Sequence, residues 1–176
     1  MHQIFTTPWL VTGVAMTCLL GAGCGDNTGV VQVAFPADYQ TTWLETLACT
    51  PNSAHSGATI QIYLNDVAQE VWEDWTERLS AAGGGAVNPV EFSEGSVLVK
   101  TQYSDPNCAD LEQWTMMTKL APGADSANGD WRWELVAPTA NGDPGRALAG
   151  SSTCFGCHTP YQNQDFVGHS PNPTAP

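Results

Sequence analysis

Between residues 58 and 64 apolar and polar side chains alternate. Ile60, Ile62 and Leu64 fall on one side and Thr59, Gln61 and Tyr63 on the other, the period of a half-buried strand over Ala58 to Leu64. After Asn65 the period changes. Val67, Val71, Trp72, Trp75 and Leu79 recur at helical spacing and predict a helix of about 15 residues capped by Asn65. Asp66, Glu70, Glu73 and Asp74 crowd toward its start, where the macrodipole favours negative charge. Trp72 and Trp75 lie on the stripe that faces a core, so both read as packing residues. Gly83-Gly84-Gly85 ends the helix as a flexible turn; with no strand before it, it is a poor phosphate cradle.

Three further strands are predicted: Ser96 to Tyr103, Gln113 to Leu120 and Trp131 to Ala137. Each is rich in β-branched or aromatic residues and bounded by Gly, Pro, Asp or Asn. In the last, Trp131, Trp133 and Leu135 share one face while Arg132, Glu134 and Val136 share the other. A long loop from Pro122 to Asp130 joins the last two as an antiparallel pair. Upstream, Pro36 sits just inside a predicted helix spanning 36–47, with Leu44 and Leu47 on its apolar side. Residues 138–153 read as loop. The expected class is α+β, an antiparallel sheet with two main helices packed on it.

The N-terminus adds a compartment. The first 24 residues carry no Asp, Glu, Lys or Arg, and an apolar run from Trp9 to Leu20 leads to Gly21-Ala22-Gly23 and Cys24. That run is too short to span a bilayer and ends in small residues, the form of an export signal over 1–23. Small residues followed by Cys24 resemble the lipobox of bacterial lipoproteins, in which the cysteine carries the lipid. Signal cleavage without lipid is the alternative. The expected location is the periplasm or cell envelope of a bacterium, with membrane contact through a lipid anchor. Residues 24–34 then form a tether, 35–168 one domain, and 169–176 a loose, proline-rich tail.

The formal charge is −13, from 18 acidic and five basic side chains. A nucleic-acid partner is excluded on that ground, since phosphate binding calls for a basic face.

Of six cysteines, Cys18 leaves with the signal and Cys24 is the lipidation candidate. Cys154 and Cys157 belong to the segment Cys154-Phe155-Gly156-Cys157-His158. C-x-x-C-H is the attachment signature of a c-type haem. Two thiols one helical turn apart can each add across a vinyl group of one porphyrin, and the next residue, His158, is carried beneath the iron as an axial ligand. This places one covalent haem near the C-terminus. Two other readings stay open: half of a zinc site, which lacks a second close pair, and a redox dithiol, which lacks a βαβ context. Cys49 and Cys108 remain. In an oxidising compartment they are expected to pair, two separate buried thiols being the alternative.

The order of these pieces resembles the cytochrome P-460 family, which includes the beta-type cytochromes c-prime. The matching segments are FPADYQTTW at 35–43, GATIQIYLND at 57–66, EGSVLVKTQY at 94–103, WTMMTK at 114–119, DWRWELV at 130–136, and CFGCH followed by QDFV at 164–167. The resemblance implies a mainly antiparallel β fold, usually dimeric, with a c-type haem held by the motif histidine on one side and often open on the other. It also implies a chemical division. Enzymatic members carry a lysine joined to the porphyrin and oxidise hydroxylamine, whereas the beta-type cytochromes c-prime lack that bond and bind nitric oxide.

This chain offers Lys100 and Lys119, both read as solvated strand residues. Fillers for the sixth iron position are Met116, Met117, His55, His169 and the two lysines. Packing is the expected role of the core-facing methionine, and solvent exposure that of the two histidines. The expected function is an exported mono-haem c-type cytochrome that binds nitric oxide or acts on small nitrogen oxides or hydroxylamine, with a redox partner protein. The alternatives are an electron carrier with a six-coordinate haem and a haem-free lipoprotein using Cys154 and Cys157 for zinc or a disulfide.

Overall fold

The computed structural model describes residues 34–83, 87, 89–149 and 152–168. The expected signal segment with Cys24, nearly all of the tether, Gly84, Gly85 and the tail with His169 lie outside the described residues. Six strands form one antiparallel sheet in chain order: β1 (Leu44–Pro51), β2 (Thr59–Leu64), β3 (Val97–Tyr103), β4 (Leu111–Lys119), β5 (Trp131–Pro138) and β6 (Pro144–Ala149). Each strand pairs with its sequence neighbour, with the helix Asp66–Ala81 in the connection between β2 and β3, so the sheet is built without a crossover. Among the described residues the α-helices are α1 (Tyr39–Thr42), α2 (Asp66–Ala81) and α3 (Ser152–His158), of which only α2 is long. The class is α+β, as expected.

Asn65 sets the junction between β2 and α2. Its Oδ1 accepts from Ala68 N at 3.0 Å, capping the helix, and from Val97 N at 2.9 Å, while Nδ2 donates to Gly95 O at 2.9 Å. One side chain thus satisfies an orphan donor of α2 and aligns the start of β3.

Two expectations are corrected. The predicted helix over 36–47 shrinks to α1, and the rest of the segment is β1. Leu44 pairs with Leu64 and Leu47 with Ile62, so three steps along β1 match two along β2 across a register shift. A bulge of this kind brings residues three apart to one face of a sheet, and that spacing imitates a helix in the sequence. The predicted loop over 138–153 contains β6, which pairs with β5 through a short turn. Thr139 N donates to Asp143 O at 2.8 Å, and Gly142, at φ 84°, donates to Thr139 O at 2.9 Å. As an edge strand β6 tolerates Pro144 and lacks the apolar run by which strands are recognised.

Each face of the sheet carries its own core. On one, Leu64, Leu98, Met117, Trp131 and Trp133 meet Ala68, Trp72, Trp75 and Leu79 of α2 together with Val90, Phe92 and Val167. Burial of each such large side chain contributes roughly 1.5–3 kcal/mol. On the other, Tyr63, Val97, Val99, Trp114, Met116 and Val136 pack with Tyr39 of α1. Tyr39 Oη meets Thr101 Oγ1 at 2.9 Å and accepts from Trp114 Nε1 at 2.9 Å, which gives the polar atoms of these three side chains partners. Met116 and Met117 are both buried, one on each face. Cys49 and Cys108 are joined in a disulfide with their Cα atoms 6.0 Å apart, tying β1 to the turn between β3 and β4.

Candidate functional site

The segment 154–158 lies in α3, and Cys154 and Phe155 pack against the α2 side of the sheet. Positions three apart share one side of a helix, so Cys154 and Cys157 stand on the same edge. Cys154 is half-buried, Cys157 is exposed, and neither is in a disulfide. Among the described residues, no group of three His, Cys, Asp or Glu side chains is placed to hold a metal ion, which leaves a zinc reading of these thiols without its further ligands.

His158 closes α3. Its ring meets Trp133 edge-on with centroids 4.7 Å apart, and Tyr161 lies 6.3 Å away. Nδ1–H donates to the carbonyl oxygen of Phe166 at 2.7 Å. A carbonyl only accepts, so the proton sits on Nδ1 and Nε2 keeps its lone pair. Burial pushes the imidazole pKa down, against the upward pull of the Phe166 carbonyl and with a further lowering from Lys100. A neutral imidazole with Nδ1 engaged and Nε2 unclaimed is the state in which histidine binds a metal.

The Phe166 carbonyl is presented by an unusual turn. Asp165 and Phe166 both have left-handed backbone angles, with φ 51° and 63°. Phe166 N donates to Tyr161 O at 2.9 Å, and Val167 N to Gln164 O at 3.0 Å. Asp165 itself is held from three elements. Lys119 Nζ, at the end of β4, contacts its carboxylate oxygens at 2.6 and 2.7 Å; Phe92 N donates to Oδ2 at 2.7 Å; Trp131 Nε1, at the start of β5, donates to its backbone oxygen at 2.7 Å. Lys119 also donates to Gly129 O at 2.8 Å and stands 5.1 Å from the centre of the Trp131 ring.

Neither lysine is a solvated strand residue. Lys119 is consumed by the ion pair with Asp165, and its side chain is only 10% exposed. Lys100 sits in β3 opposite Ile62 and Thr115, and its parity with Leu98 turns it to the face that carries α2 and α3. It has no hydrogen bond or ion pair among the described residues. Burial lowers its pKa to about 8, with Cys154 acting the other way.

His55 is half-buried rather than exposed. It lies in a single 3-10 turn, Ser53–His55, closed by Asn52 N to Ala58 O at 2.9 Å and Ala58 N to His55 O at 3.0 Å. Its Nδ1 lies 3.0 Å from Asn52 Oδ1, so Nε2 is again unclaimed. Burial, then the fields of Lys100 and His158, lower its pKa to about 4. His55, Lys100, Cys154 and His158 therefore belong to one electrostatic neighbourhood.

Trp133, Asp165 and Phe166 had no assigned role in the sequence. The alternation of β5 put Trp133 on a face, but only the fold shows that His158 shares it. Nothing local to QDFV at 164–167 announces a left-handed Phe166, because its only function visible here is carried by a backbone carbonyl.

Comparison with curated proteins finds no match. A family model described as Cytochrome P460 matches residues 36–169, a span that takes in all six strands, α2, the Cys154–His158 helix and the turn that holds His158. The chain therefore belongs to the cytochrome P460 family, a family of haem proteins.

Proposed function

We propose that this protein is an exported mono-haem c-type cytochrome. Cys154 and Cys157 would hold the porphyrin through thioether bonds, and His158 would ligate its iron through Nε2. The observation that carries the reading is the 2.7 Å bond from His158 Nδ1 to Phe166 O, which fixes the tautomer and leaves Nε2 for a metal. The surroundings fit the group. Among the described residues, the two thiols are unpaired and Trp133 Nε1 is buried without an acceptor. Lys100 likewise has none. A porphyrin bears two carboxylates and an apolar body, and this face offers idle donors beside aromatic side chains.

When bound, the haem supplies one-electron chemistry and a coordination position for a small ligand. The chain's own residues orient His158, keep it neutral and bury it against Trp133. The ligand class we propose is nitric oxide or another small nitrogen oxide, with hydroxylamine as the substrate if Lys100 is joined to the porphyrin. Lys100 suits that bond better than Lys119. Among the described residues its ammonium has no hydrogen-bond or ion-pair partner, and it is shifted toward the neutral, nucleophilic form, whereas Lys119 is held by Asp165. Periplasmic location and a lipid on Cys24, which rest on the N-terminal sequence, and a homodimer and a protein redox partner, which rest on the family resemblance, complete the proposal.

A second reading, electron transfer with a filled sixth position, is favoured by one observation. His55 presents an unclaimed Nε2 in the electrostatic range of Lys100 and His158. Spectra of the ferrous protein with and without nitric oxide, beside the intact mass, separate the readings. A haem mass on the chain that is lost in Cys154→Ser/Cys157→Ser, with a spectrum that responds to nitric oxide, is expected. A low-spin spectrum insensitive to nitric oxide favours the carrier, and absence of haem after maturation in a cytochrome c assembly host overturns both.

A further inference from the structure

We propose that Lys119 is a positioning residue for the iron ligand: through Asp165 it holds the left-handed turn that presents the Phe166 carbonyl to His158 Nδ1. The inference rests on the reading that His158 binds haem iron. Lys119 acts on His158 only through that turn.

A bulky aromatic residue at φ 63° is a backbone outlier, and such conformations persist only where surrounding contacts over-determine them. Here two follow one another, at Asp165 and Phe166. The contacts that hold them converge on Asp165 from β4, from the segment before β3 and from β5. Lys119 makes the largest share. It contacts both carboxylate oxygens and also donates to Gly129 O, whose residue lies against the Phe166 ring.

The same ammonium thus grips the turn from Asp165 and from the surface beneath Phe166. The ion pair is nearly dry, with side chains 10% and 8% exposed. A buried ion pair adds little stability relative to a well-packed apolar pair, so geometry is the better account of why it stands here.

The chemical consequence follows from the acceptor. A hydrogen bond from Nδ1 to a fixed carbonyl makes the imidazole a stronger electron donor at Nε2, which favours the oxidised metal. Loosening the turn weakens that bond and raises the reduction potential.

The test uses the haem-loaded protein and four variants: Lys119→Met, Lys119→Arg, Asp165→Asn and, as a control for lost stability, Leu79→Ala in the α2 core. The readouts are the reduction potential, the iron–histidine stretching band of the ferrous protein and the thermal midpoint. Lys119→Met and Asp165→Asn are expected to raise the potential and lower the stretching frequency. Lys119→Arg restores both toward wild type, and Leu79→Ala lowers the midpoint while moving neither. Lys119→Met and Asp165→Asn that lose thermal stability but keep the wild-type potential and band overturn the proposal.

The haem reading fails separately, by absence of covalent haem in the wild type or by an iron–histidine band that survives replacement of His158. Nitrogen-15 resonances of His158 in the haem-free chain report the positioning step on its own. The wild type should show the Nδ1-protonated tautomer, Lys119→Met a mixture, and an unchanged tautomer counts against Lys119.

Discussion

Gly129 lies directly beneath the ring of Phe166: a methyl group built on Gly129 would overlap ring carbons of Phe166, at a backbone φ of 66°. Gly129→Ala therefore combines two penalties, left-handed strain of about 1–2 kcal/mol and overpacking of about 1–3 kcal/mol. The expected loss is about 2–5 kcal/mol by urea unfolding with an unchanged slope. Gly123→Ala provides the control, because Gly123 is also left-handed, at φ 85°, but has nothing within 4 Å of the added carbon. It should lose only the strain component. Equal losses at the two positions would remove the argument that Phe166 occupies the space over Gly129.

The sheet was largely legible because β2 to β5 alternate or run β-branched between clear turn residues. The ends were not. Leu44 and Leu47 share a face through a bulge, whose register shift is a property of the pairing with Leu64 and Ile62 rather than of either strand alone. β6 has no apolar run, since an edge strand needs little buried side chain. At the candidate site, the spacing of Cys154, Cys157 and His158 stood out in the sequence, and the structure places all three in α3. The Lys119–Asp165 pair did not stand out, since 46 residues separate the partners and only the fold brings them together. Lys100 misled for the opposite reason. Its strand was evident, but which face would be covered depended on where the distant α3 packs.

The disulfide between Cys49 and Cys108 closes a separation of 59 residues and tethers an edge strand interrupted by two register shifts. In the chain-entropy account such a closure stabilises by on the order of 4 kcal/mol. Cys49→Ala/Cys108→Ala is expected to lower stability by about 2–5 kcal/mol in denaturant. A thiol reductant should destabilise the wild type by a similar amount and leave the double variant unchanged. A variant as stable as the wild type would show that β1 holds its bulged register without the tether.

His55 predicts an acid-side change. Its pKa is near 4 in the folded chain against 6.5 as the ordinary value. As pH falls through 6.5 the unfolded chain takes up a proton that the folded chain refuses, so stability declines from about pH 6.5 to pH 4 and is independent of this group above 6.5. His55→Gln removes the titrating ring. The stability difference between wild type and His55→Gln, followed from pH 7.5 to 4, should shift against the wild type only below 6.5. A difference that stays constant with pH would mean that the loop leaves His55 open to solvent.

Lys100 predicts a change on the alkaline side with a different consequence. Its folded pKa is about 8 against 10.5. Between those values the unfolded chain binds the extra proton, so the slope of stability with pH is positive there, and below pH 8 the penalty of burying the ammonium is present in full. Replacing it with an apolar chain of similar length removes that penalty. In the haem-free Cys154→Ser/Cys157→Ser background, Lys100→Met is expected to gain on the order of 1–3 kcal/mol at pH 7, with the gain fading toward pH 10.5. The haem-loaded protein discriminates further. If Lys100 is bonded to the porphyrin, its ammonium no longer exists to titrate, so the stability difference between wild type and Lys100→Met carries no alkaline pH dependence, and the variant shows a haem band shifted to the blue of the wild type. If the lysine is unbonded, the pH dependence persists and the band stays in place. A Lys100→Met chain that is less stable than its parent at pH 7 without haem would show that the ammonium is solvated or paired, and would remove the reason for assigning Lys100 to the haem face.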